Sequence, residues 1–593
     1  MILVFGGTTE GRIAVQTLDA AGSPFFYSTK GSLQEIEMCN GERLCGAMDA
    51  GRALEFCRDN GVRLIVDAAH PFAIGVHDTA HAVSQELDIP VIRYERESES
   101  SDDNIIWCSS FQDAVSRLSK DGITSLLALT GVNTIPKLKE WWSGEGNVCH
   151  FRVLDRDESR ELASNAGFPA ERLLFFSEDY AGLEAETELL ERLSPQAIIT
   201  KDSGASGYFN EKVKAAKASG VKVYAVRRPQ LPEEFITVYG PVGLRLEVER
   251  HASGFFPLRI GLTTGSTATA AVRGALRRLL YGEDNSRVCV VLPQGERVMM
   301  PLKGSGLTED GAWGAATKYG GDDPDATSGY DIIAHVRVND AGEVSFFAGE
   351  GVGTVTLPGL GLEVGGAAIN NGPRRMMRKV VEEEIPGKGA EITISVPGGR
   401  ELAARTFNPR VGVSGGISII GTSGVVRPFS KEAFLESISR EMDVAKALGV
   451  EHLIINSGAK SEQKLKERVG AGLPPQAFIH YGNFIGDTVR MASEHGFRKV
   501  TLGIMIGKAV KLAAGNLDTH SRVVTVDKEF VKEVARKCGC SFIPDNFTLA
   551  RELWGAFDGE DATRFFGEIR ELCRKQCAPL LPCGELEVVL VEE

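Results

Sequence analysis

Short apolar runs alternate with polar-faced helical stretches over roughly the first 250 residues, and this alternation limits the fold more than any other feature of the chain. The apolar runs at 64–66, 126–129, 197–199 and 221–226 suit buried strands. Strands that are apolar on both faces and separated by helices are typical of a parallel sheet covered by helices on its two sides. The alternation therefore predicts an α/β fold of the doubly wound type.

A change in composition divides this first part of the chain. The segment 95–103 is acidic and rich in serine, and it has little apolar surface to bury. Apolar runs with intervening helical patterns lie on both sides of it. We therefore predict two Rossmann-like subdomains, one at 1–97 and one at 104–250.

The second half of the chain has a different rhythm. Residues 251–257 contain glycine and proline and are predicted to form a linker. Glycine-broken strands and two helices, at 267–280 and 374–384, then predict an α+β subdomain over 258–410. From 411 to 593 the alternation returns and predicts a further α/β subdomain with a C-terminal tail. Its predicted strands are 411–420, 452–456, 477–480 and 500–504.

The whole-chain composition excludes several classes of protein. With 593 residues, 43% hydrophobic and 25% charged, the chain is expected to form several globular domains. No apolar run approaches the roughly 18 residues that span a bilayer, and residues 1–5 lead into a glycine turn instead of forming a secretory signal. The net charge of −14 disfavours nucleic-acid binding, and eleven scattered cysteines suit a reducing compartment. We therefore expect a cytoplasmic protein that binds neither membrane nor nucleic acid.

The chain opens with the pattern of a strand, a glycine turn and a helix start. Glycine in such a turn lets a pyrophosphate approach the backbone, and the free N–H groups of the helix start meet its charge. The G-G-x-x-x-G spacing fits a dinucleotide site and a purely structural turn about equally well. The second strand ends without the acidic residue typical of an NAD ribose site, and Lys30 weakly favours a 2′-phosphate. The turn and helix start comprise Gly6, Gly7, Thr8, Thr9, Glu10, Gly11 and Arg12.

Four further polar or glycine-containing segments follow predicted strands, at the sheet edge where open α/β folds bind ligands. They are 67–73, 129–131, 200–207 and 227–229. Together with the opening turn and the segment 92–96, they resemble the precorrin-6A reductase family over essentially all of residues 1–250. This resemblance implies hydride transfer from NADH or NADPH to one ring double bond of a corrin precursor.

The same resemblance implies roles for particular residues. The opening turn would bind the cofactor phosphates. Lys201, Asp202 and Ser203 would lie beside the substrate, and one of them would supply the proton that accompanies the hydride. A solvated lysine–aspartate pair without a catalytic role is an equally acceptable interpretation. The other cofactor-binding residues would be Ser28, Thr29, Thr130 and Gly131, and the catalytic residues would be Lys201, Asp202 and Ser203.

Two clusters raise the question of a metal ion. His77 and His81 lie one helical turn apart and close in sequence to His70, but no third ligand is identifiable, so a solvated helix face is the favoured interpretation. The five cysteines between 538 and 583 do not have the spacing of a zinc site. We therefore predict no protein-bound metal.

After residue 258, three motifs carry groups suited to an anionic substrate. The segment 263–266 begins a helix with hydroxyls and free N–H groups, which suit a carboxylate or a simple helix cap. The segment 322–325 gathers carboxylates in a loop that fits a cation or an ordinary turn. Paired arginines in the first turn of another helix can grip carboxylates bidentately. The candidate residues are Thr263, Thr264, Gly265, Ser266, Asp322, Asp323, Asp325, Arg374 and Arg375.

Glycine-rich segments at 408–424, 456–458, 482–486 and 506–515 complete the pattern. The string from 258 to about 527 is similar to the cobalt-precorrin-5B C1-methyltransferase family. The similarity implies methyl transfer from S-adenosylmethionine to C1 of a cobalt-bearing macrocycle, in which cobalt enters as part of the substrate. The three motifs above would then face the macrocycle. The implied S-adenosylmethionine-binding residues are Gly415, Gly416, Thr422, Gly424, Ser457, Gly458, Asn483 and Gly486.

The two implied activities are adjacent steps, since the product of the methylation is the substrate of the reduction. The chain is therefore predicted to be a bifunctional enzyme of cobalamin biosynthesis that acts on a small cobalt-corrinoid. Thr267 and Met505 stand where the methyltransferase family commonly has cysteine and histidine. One alternative is consequently a reductase whose C-terminal half only holds corrinoid, and another is a non-catalytic tetrapyrrole or cobalt carrier. Methyl transfer needs mainly alignment and desolvation, which favours two active enzymes. Homo-oligomers and contacts with other pathway enzymes are left open.

Overall fold

The computed structural model describes residues 1–31, 36–96, 104–176, 181–204, 207–469, 472–521, 524–541 and 547–592. Most of the predicted junction at 95–103 and part of the 200–207 loop lie outside these ranges. The chain forms two compact units. The N-terminal unit comprises Met1–Leu258 with Glu296–Val298, and the C-terminal unit comprises Arg259–Gly295 with Met299–Glu593.

The N-terminal unit contains twelve described strands and nine described α-helices. The strands are β1 (Ile2–Phe5), β2 (Phe25–Thr29), β3 (Gly41–Cys45), β4 (Leu64–Asp67), β5 (Val91–Tyr94), β6 (Ile105–Cys108), β7 (Ser125–Leu129), β8 (Val148–Leu154), β9 (Leu173–Phe176), β10 (Ala197–Lys201), β11 (Lys222–Val226) and β12 (Ile236–Val238). The helices are α1 (Thr9–Asp19), α2 (Ala50–Asp59), α3 (Ile74–Leu87), α4 (Phe111–Lys120), α5 (Lys139–Trp142), α6 (Asp157–Asn165), α7 (Leu183–Leu193), α8 (Phe209–Ala218) and α9 (Pro241–His251).

These strands form two six-stranded parallel sheets. The order in the first is β12-β5-β4-β1-β2-β3, and the order in the second is β6-β11-β10-β7-β8-β9. Every residue of β1, β4 and β5 is buried, because helices cover both faces of the sheet. The predicted α/β fold with parallel sheets is confirmed for this part of the chain.

The end of the predicted second subdomain returns to the first sheet. Strand β12 pairs in parallel with β5, with Ile236 opposite Ile92. Val238 from β12 and Leu244 from α9 are buried in the core beneath the first sheet. Local sequence patterning could not reveal this exchange, because an apolar strand suits the edge of either sheet equally well.

The strands after residue 258 are β13 (Gly261–Leu262), β14 (Arg287–Val291), β15 (Arg297–Pro301), β16 (Gly304–Leu307), β17 (Ala312–Thr317), β18 (Asp331–Asn339), β19 (Val344–Ala348), β20 (Thr354–Val355), β21 (Gly389–Ser395), β22 (Val413–Ser414), β23 (Val425–Val426), β24 (His452–Asn456), β25 (Phe478–His480), β26 (Lys499–Met505) and β27 (Glu585–Val591). The helices are α10 (Thr264–Tyr281), α11 (Asn371–Glu384), α12 (Gly399–Ala403), α13 (Lys431–Ala447), α14 (Ala459–Arg468), α15 (Ile485–Glu494), α16 (Ile506–Ala513), α17 (Lys528–Lys537), α18 (Leu553–Ala556) and α19 (Gly559–Cys577).

A five-stranded mixed sheet in the order β16-β17-β18-β21-β19 forms the first part of the C-terminal unit. Helix α10 packs on this sheet and on α11, and it is buried along most of its length because its inward side chains are small. Gly314 of β17 allows this approach, since a Cβ there would clash with the carbonyl of Ala271.

A four-stranded parallel sheet in the order β25-β24-β26-β27 forms the second part. Its last strand comes from the C-terminal segment for which the sequence predicted no role. The segment predicted as a strand at 411–420 instead lies with the preceding part of the chain, since β22 pairs with β20. Ile417 and Ile419 continue this association through bridges to Val352 and Ile369.

Within the described ranges, no helix combines the length and the apolar character needed to cross a membrane. All eleven cysteines are free. His77 uses its two ring nitrogens on the Asp67 carboxylate and the Pro71 carbonyl, which explains this histidine without a metal.

Candidate active sites

The glycine turn between β1 and α1 is fixed by two hydroxyl groups. Gly7 has φ +96° and donates its N–H to the Tyr27 hydroxyl at 2.9 Å. The Thr8 Oγ1 atom accepts from the Gly11 N–H at 3.0 Å and donates to the Ala68 carbonyl at 2.8 Å. The turn is therefore tied to the carboxyl ends of β2 and β4, where a ligand of this sheet would lie.

Gly6 and Gly7 are glycine for different reasons. A Cβ on Gly6 would lie 2.6 Å from the Tyr27 hydroxyl oxygen, so the tyrosine side chain alone excludes larger residues. At Gly7 the surrounding space is open, and the positive φ is the constraint. The G-G-x-x-x-G spacing fitted a pyrophosphate site and a purely structural turn about equally well. The structure gives Gly6 an additional packing role.

Cationic side chains lie around this turn. Arg12, in the first part of α1, is exposed. Arg43 of β3 donates from Nη2 to Thr29 Oγ1 at 3.4 Å and to the Gly31 carbonyl at 3.2 Å, at the end of β2. Burial raises the pKa of Tyr27, whereas the nearby guanidinium groups of Arg43 and Arg12 oppose that rise. The end of β2 thus carries a guanidinium where NAD-specific sites carry a carboxylate.

A buried ionic network lies at the carboxyl edge of the first sheet. Arg93 of β5 is fully buried and donates from Nη1 to Asp67 Oδ1 at 3.0 Å. Its Nε donates to Glu95 Oε2 at 3.1 Å. Asp67 Oδ2 is 2.6 Å from the Nδ1 atom of His77, and both side chains are buried. Each charge in this network therefore has a partner, as burial requires.

The network continues to the loop after β10 in the second sheet. Arg228 contacts Glu95 Oε1 at 2.8 Å and Asp202 Oδ1 at 3.2 Å. Arg96 donates to the Ser203 carbonyl at 3.0 Å and pairs with Glu10 of the glycine turn at 2.6 Å. The predicted cofactor turn and the predicted substrate loop are therefore connected through a single arginine.

A cavity of about 490 Å³ lies beside this loop. Its wall is largely apolar, with Phe72, Phe111 and Leu154 among the lining side chains. The predicted residues Thr130, Gly131 and Lys201 also line it, together with His70. A mainly apolar cavity with a few polar groups is the usual form of a small-molecule site.

In the C-terminal unit, the start of α10 contacts the segment that precedes β23. Thr263 caps the helix by accepting the Ser266 N–H, and the Ser266 hydroxyl donates to the Gly424 carbonyl at 2.7 Å. The Thr264 hydroxyl accepts the Ile420 N–H at 2.8 Å. The predicted segment 263–266 thus contacts the end of the predicted segment 408–424.

The start of α11 reaches the same place, but its two arginines differ. Pro373 packs against Gly265, where a Cβ would lie 2.5 Å from Pro373 Cγ. Arg374 donates to the carbonyls of Ile369 and Ala367 at 2.7 and 3.2 Å, so these contacts explain its presence without a ligand. Arg375 is exposed and, among the described residues, has no hydrogen bond or ion pair.

The acidic loop is held by protein groups. Asp322 binds the guanidinium of Arg259 with both Nε and Nη2 donating, and Asp325 accepts from the buried Lys318 ammonium at 3.0 Å. Asp323 accepts the Phe429 N–H at 3.3 Å. These pairs account for the carboxylates without a cation or a substrate.

The other predicted S-adenosylmethionine residues, Ser457, Gly458, Asn483 and Gly486, lie at the carboxyl edge of the four-stranded sheet. Asn456 Oδ1 accepts the Gly458 N–H at 3.0 Å, which shapes the loop after β24. The Asn483 carbonyl, after β25, accepts the Thr519 N–H at 3.0 Å. Lys508 of α16 donates to the Gly482 carbonyl, and burial lowers the pKa of this lysine to about 8.

Comparison with known proteins assigns both halves of the chain. Residues 1–241 match the family model described as precorrin-6x reductase CbiJ/CobK, and residues 251–428 match the model described as CbiD. A cobalt-precorrin-5B C(1)-methyltransferase of Prosthecochloris aestuarii is 44% identical over 346 residues, which cover 94% of that protein and 56% of this chain.

The chain belongs to the cobalt-precorrin-5B C(1)-methyltransferase family. A relative of the same name from Pseudomonas aeruginosa is 45% identical over 275 residues, which cover 75% of that protein and 46% of this chain. The methyltransferase-family half follows a reductase-family half in one chain, as the two sequence resemblances predicted. The fusion inferred from sequence is confirmed.

Two solved structures are similar to parts of the chain. CobK precorrin-6A reductase has 21% identity and a TM-score of 0.36, and the match covers 98% of that chain and 43% of this one. The cobalamin biosynthesis protein cbiD from Archaeoglobus fulgidus has 26% identity and a TM-score of 0.25, and the match covers 84% of that chain and 47% of this one.

Within the reductase-family half, Arg96 connects the predicted cofactor turn to the loop after β10. His70, Arg43 and Arg96 were not among the predicted site residues. Only the placement of His70 after a strand could have indicated it. Within the methyltransferase-family half, the eight predicted S-adenosylmethionine residues fall into two groups. Gly415, Gly416, Thr422 and Gly424 lie between β22 and α13, where Gly424 contacts the start of α10 and Thr422 donates to Glu436. Ser457, Gly458, Asn483 and Gly486 lie at the edge of the four-stranded sheet, where Lys508 was not predicted.

Proposed function

We propose that this chain is a bifunctional enzyme of cobalamin biosynthesis that methylates cobalt-precorrin-5B at C1 and then reduces the product, cobalt-precorrin-6A, to cobalt-precorrin-6B. The observation that carries the proposal is the pair of adjacent family matches in one chain, of which the methyltransferase match spans 94% of a relative's length. The corrinoid is the shared substrate, and its cobalt belongs to the substrate.

The experiment supplies the intact chain with cobalt-precorrin-5B under anaerobic conditions. With S-adenosylmethionine alone, the product should gain one methyl group. With reduced nicotinamide added as well, the product should gain two further hydrogens. Omitting the nicotinamide should remove only the reduction, whereas omitting S-adenosylmethionine should remove both steps, because the reductase substrate is then not formed. Product masses measure the two steps separately. A parallel assay supplies cobalt-precorrin-6A directly. A chain that reduces it but does not methylate cobalt-precorrin-5B would contain a corrinoid-holding C-terminal half, and a chain that binds corrinoid but performs neither step would be a carrier.

For the reduction, we propose that the glycine turn binds the phosphates of the nicotinamide cofactor, with Arg12 as an exposed cation beside them. The fit rests on the positive φ of Gly7, the open space around it and the position of the turn at the N-terminus of α1, where the helix dipole favours negative charge. When bound, the cofactor supplies hydride. Arg96 neutralises Glu10 in the turn, and this removes a repulsion between that carboxylate and the phosphates.

For the methylation, we propose that S-adenosylmethionine lies among the glycine-rich loops and that the start of α10 and Arg375 face the macrocycle. The exposed Arg375 suits a ligand with many carboxylates. S-adenosylmethionine supplies the methyl group when bound. The protein's contribution is alignment of the substrate and exclusion of water.

We also propose that the two units each contain two subdomains, in the order that the sequence predicted.

Arg43 leads to a prediction about the choice of nicotinamide cofactor. We expect Arg43→Met to weaken NADPH binding by roughly 10- to 100-fold, because a hydrogen bond between charged groups contributes about 1.5–3 kcal/mol. NADH binding should change less than threefold, since NADH lacks the 2′-phosphate. The measurement is the dissociation constant of each cofactor by fluorescence titration of the full chain. Lys30→Met serves as the matched control, because Lys30 is exposed and is the cation that the sequence favoured. An equal loss for both cofactors in Arg43→Met would contradict the assignment.

A further inference from the structure

Two polar groups that line the cavity beside β10 carry donor hydrogens that have no partner among the described residues. They are the ammonium of Lys201 and the imidazole of His70, and both line the space of about 490 Å³. The Lys201 ammonium lies 5.4 Å from the centre of the Phe72 ring. Among the described residues it has no hydrogen bond and no ion pair. Its three donor hydrogens are therefore available to a molecule in the cavity.

The two residues after Lys201 are committed to the protein. The Asp202 carboxylate accepts from Arg228 Nη2, and the Asp202 carbonyl accepts from Arg228 Nε. The Ser203 hydroxyl donates to the Gly207 carbonyl at 3.3 Å, and the Ser203 carbonyl accepts from Arg96. Of the three residues predicted as catalytic, only Lys201 is left to act on a substrate.

The environment of Lys201 lets it release a proton near neutral pH. Burial, followed by the repulsion of Lys137, lowers its pKa from 10.5 to about 8. The other titratable groups with an electrostatic effect between them and Lys201 are Lys212 and His70. In the described part of the chain, no carboxylate forms an ion pair with Lys201. At pH 7 roughly nine-tenths of such a lysine is protonated, and an acid with a pKa near the working pH is an efficient proton donor.

His70 is unsuited to the same task. Its Nδ1 atom accepts the Phe72 N–H at 3.1 Å, so the ring carries its hydrogen on Nε2. Burial and the charges of Arg96 and Lys201 lower its pKa to about 3, which keeps the ring neutral. A neutral imidazole can donate a hydrogen bond to a bound ring but holds no acidic proton to give it. The two groups are thus distinguishable by chemistry.

We propose that Lys201 is the proton donor of the reduction, and this inference rests on the proposed reductase function. A carbon at one end of the reduced ring double bond accepts hydride from the nicotinamide cofactor, which is oxidised. The electron pair of that double bond then takes a proton from the Lys201 ammonium at the other end. Lys201 becomes a neutral amine and regains its proton from water, so the ring gains two hydrogens in total. His70 donates a hydrogen bond to the same ring and is a positioning residue.

The direction in which the reduction rate changes with pH depends on which protonation state of Lys201 is active. The protonated lysine is required, so the single-turnover rate of reduction should be constant below about pH 7 and fall tenfold per unit above about pH 8. Lys137→Met removes a repelling charge, and this should move the descending limb to higher pH. Lys201→Arg keeps the charge with a pKa above about 12 and cannot readily release a proton. Lys201→Met removes the charge as well.

The experiment measures single-turnover reduction of cobalt-precorrin-6A by the full chain across this pH range. We expect both Lys201 variants to be slower by about 100-fold or more and to lose the descending limb. Their affinity for oxidised NADP should equal that of the unaltered chain, which shows that they are folded. A Lys201→Arg rate within threefold of the original, or a limb that persists in Lys201→Met, would overturn the inference, as would a limb in Lys137→Met that stays at the same pH or moves to lower pH. Failure of the unaltered chain to reduce would instead refute the proposed function.

Discussion

Replacement of Arg93 by methionine should lower the unfolding temperature of the N-terminal unit by about 6–20 °C. The replacement leaves the buried carboxylates of Asp67 and Glu95 without their shared cation. Breaking a buried ion pair by removing one partner costs about 3–5 kcal/mol. For a unit of this size, each kcal/mol corresponds to about 2–4 °C. The measurement is calorimetry of the full chain, in which the transition of this unit is identified by its shift on NADPH binding.

The control for Arg93→Met is an ion pair of the same unit at the surface. Arg117 pairs with Asp113 at 2.8 Å, but its side chain is 47% exposed. Arg117→Met should therefore cost about 1 kcal/mol or less. A second test combines Arg93→Met with Asp67→Asn, which removes one of the stranded charges and should recover part of the loss. Equal shifts in the Arg93 and Arg117 variants would show that burial of the network contributes little.

The architecture of the sheets could be predicted because burial on both faces leaves a direct trace in sequence. Strand β24, at His452–Asn456, has the bounds predicted from its apolar run. The places where strands join a sheet could not be predicted in the same way. Strands β12 and β27 are ordinary apolar segments, and only long-range packing determines that β12 pairs with β5 and β27 with β26. The local sequence pattern therefore predicted where strands lie in the chain better than it predicted which strands pair with each other.

For the candidate sites, too, the loops could be predicted from the sequence, whereas the contacts of individual side chains could not. Loops after parallel strands were foreseeable, because the carboxyl ends of such strands meet at one edge. The partners of each side chain were not foreseeable. Arg374 and Arg375 are adjacent and chemically identical, yet one donates to the carbonyls of Ile369 and Ala367 while the other is exposed. Arg43 reaches the end of β2 only because β3 pairs beside it, and this pairing has no signature in the residue itself.

The start of α10 provides the strongest test of the proposed methyltransferase site. Three segments meet at Gly265, whose N–H donates to the Ile420 carbonyl at 2.8 Å. A Cβ at this position would lie 2.5 Å from Pro373 Cγ and 3.0 Å from that carbonyl oxygen. Valine at this position must push the helix start away from both neighbours, and overpacking of this kind costs about 1–3 kcal/mol.

We expect Gly265→Val to lower the rate of methylation by about 100-fold, because a displacement of about 1 Å at a positioning element has an effect of that size. Reduction of cobalt-precorrin-6A supplied directly should stay within twofold of the unaltered chain, since the substitution lies in the other unit. Gly567→Val is the matched control: Gly567 is also a helical glycine of the C-terminal unit, and the nearest atom to its added Cβ is Nη2 of Arg570 at 4.0 Å. The assay follows methyl transfer from labelled S-adenosylmethionine and reduction in parallel. If the two valine variants methylate equally well, the start of α10 does not align the macrocycle, and the proposed site must be moved to the edge of the four-stranded sheet.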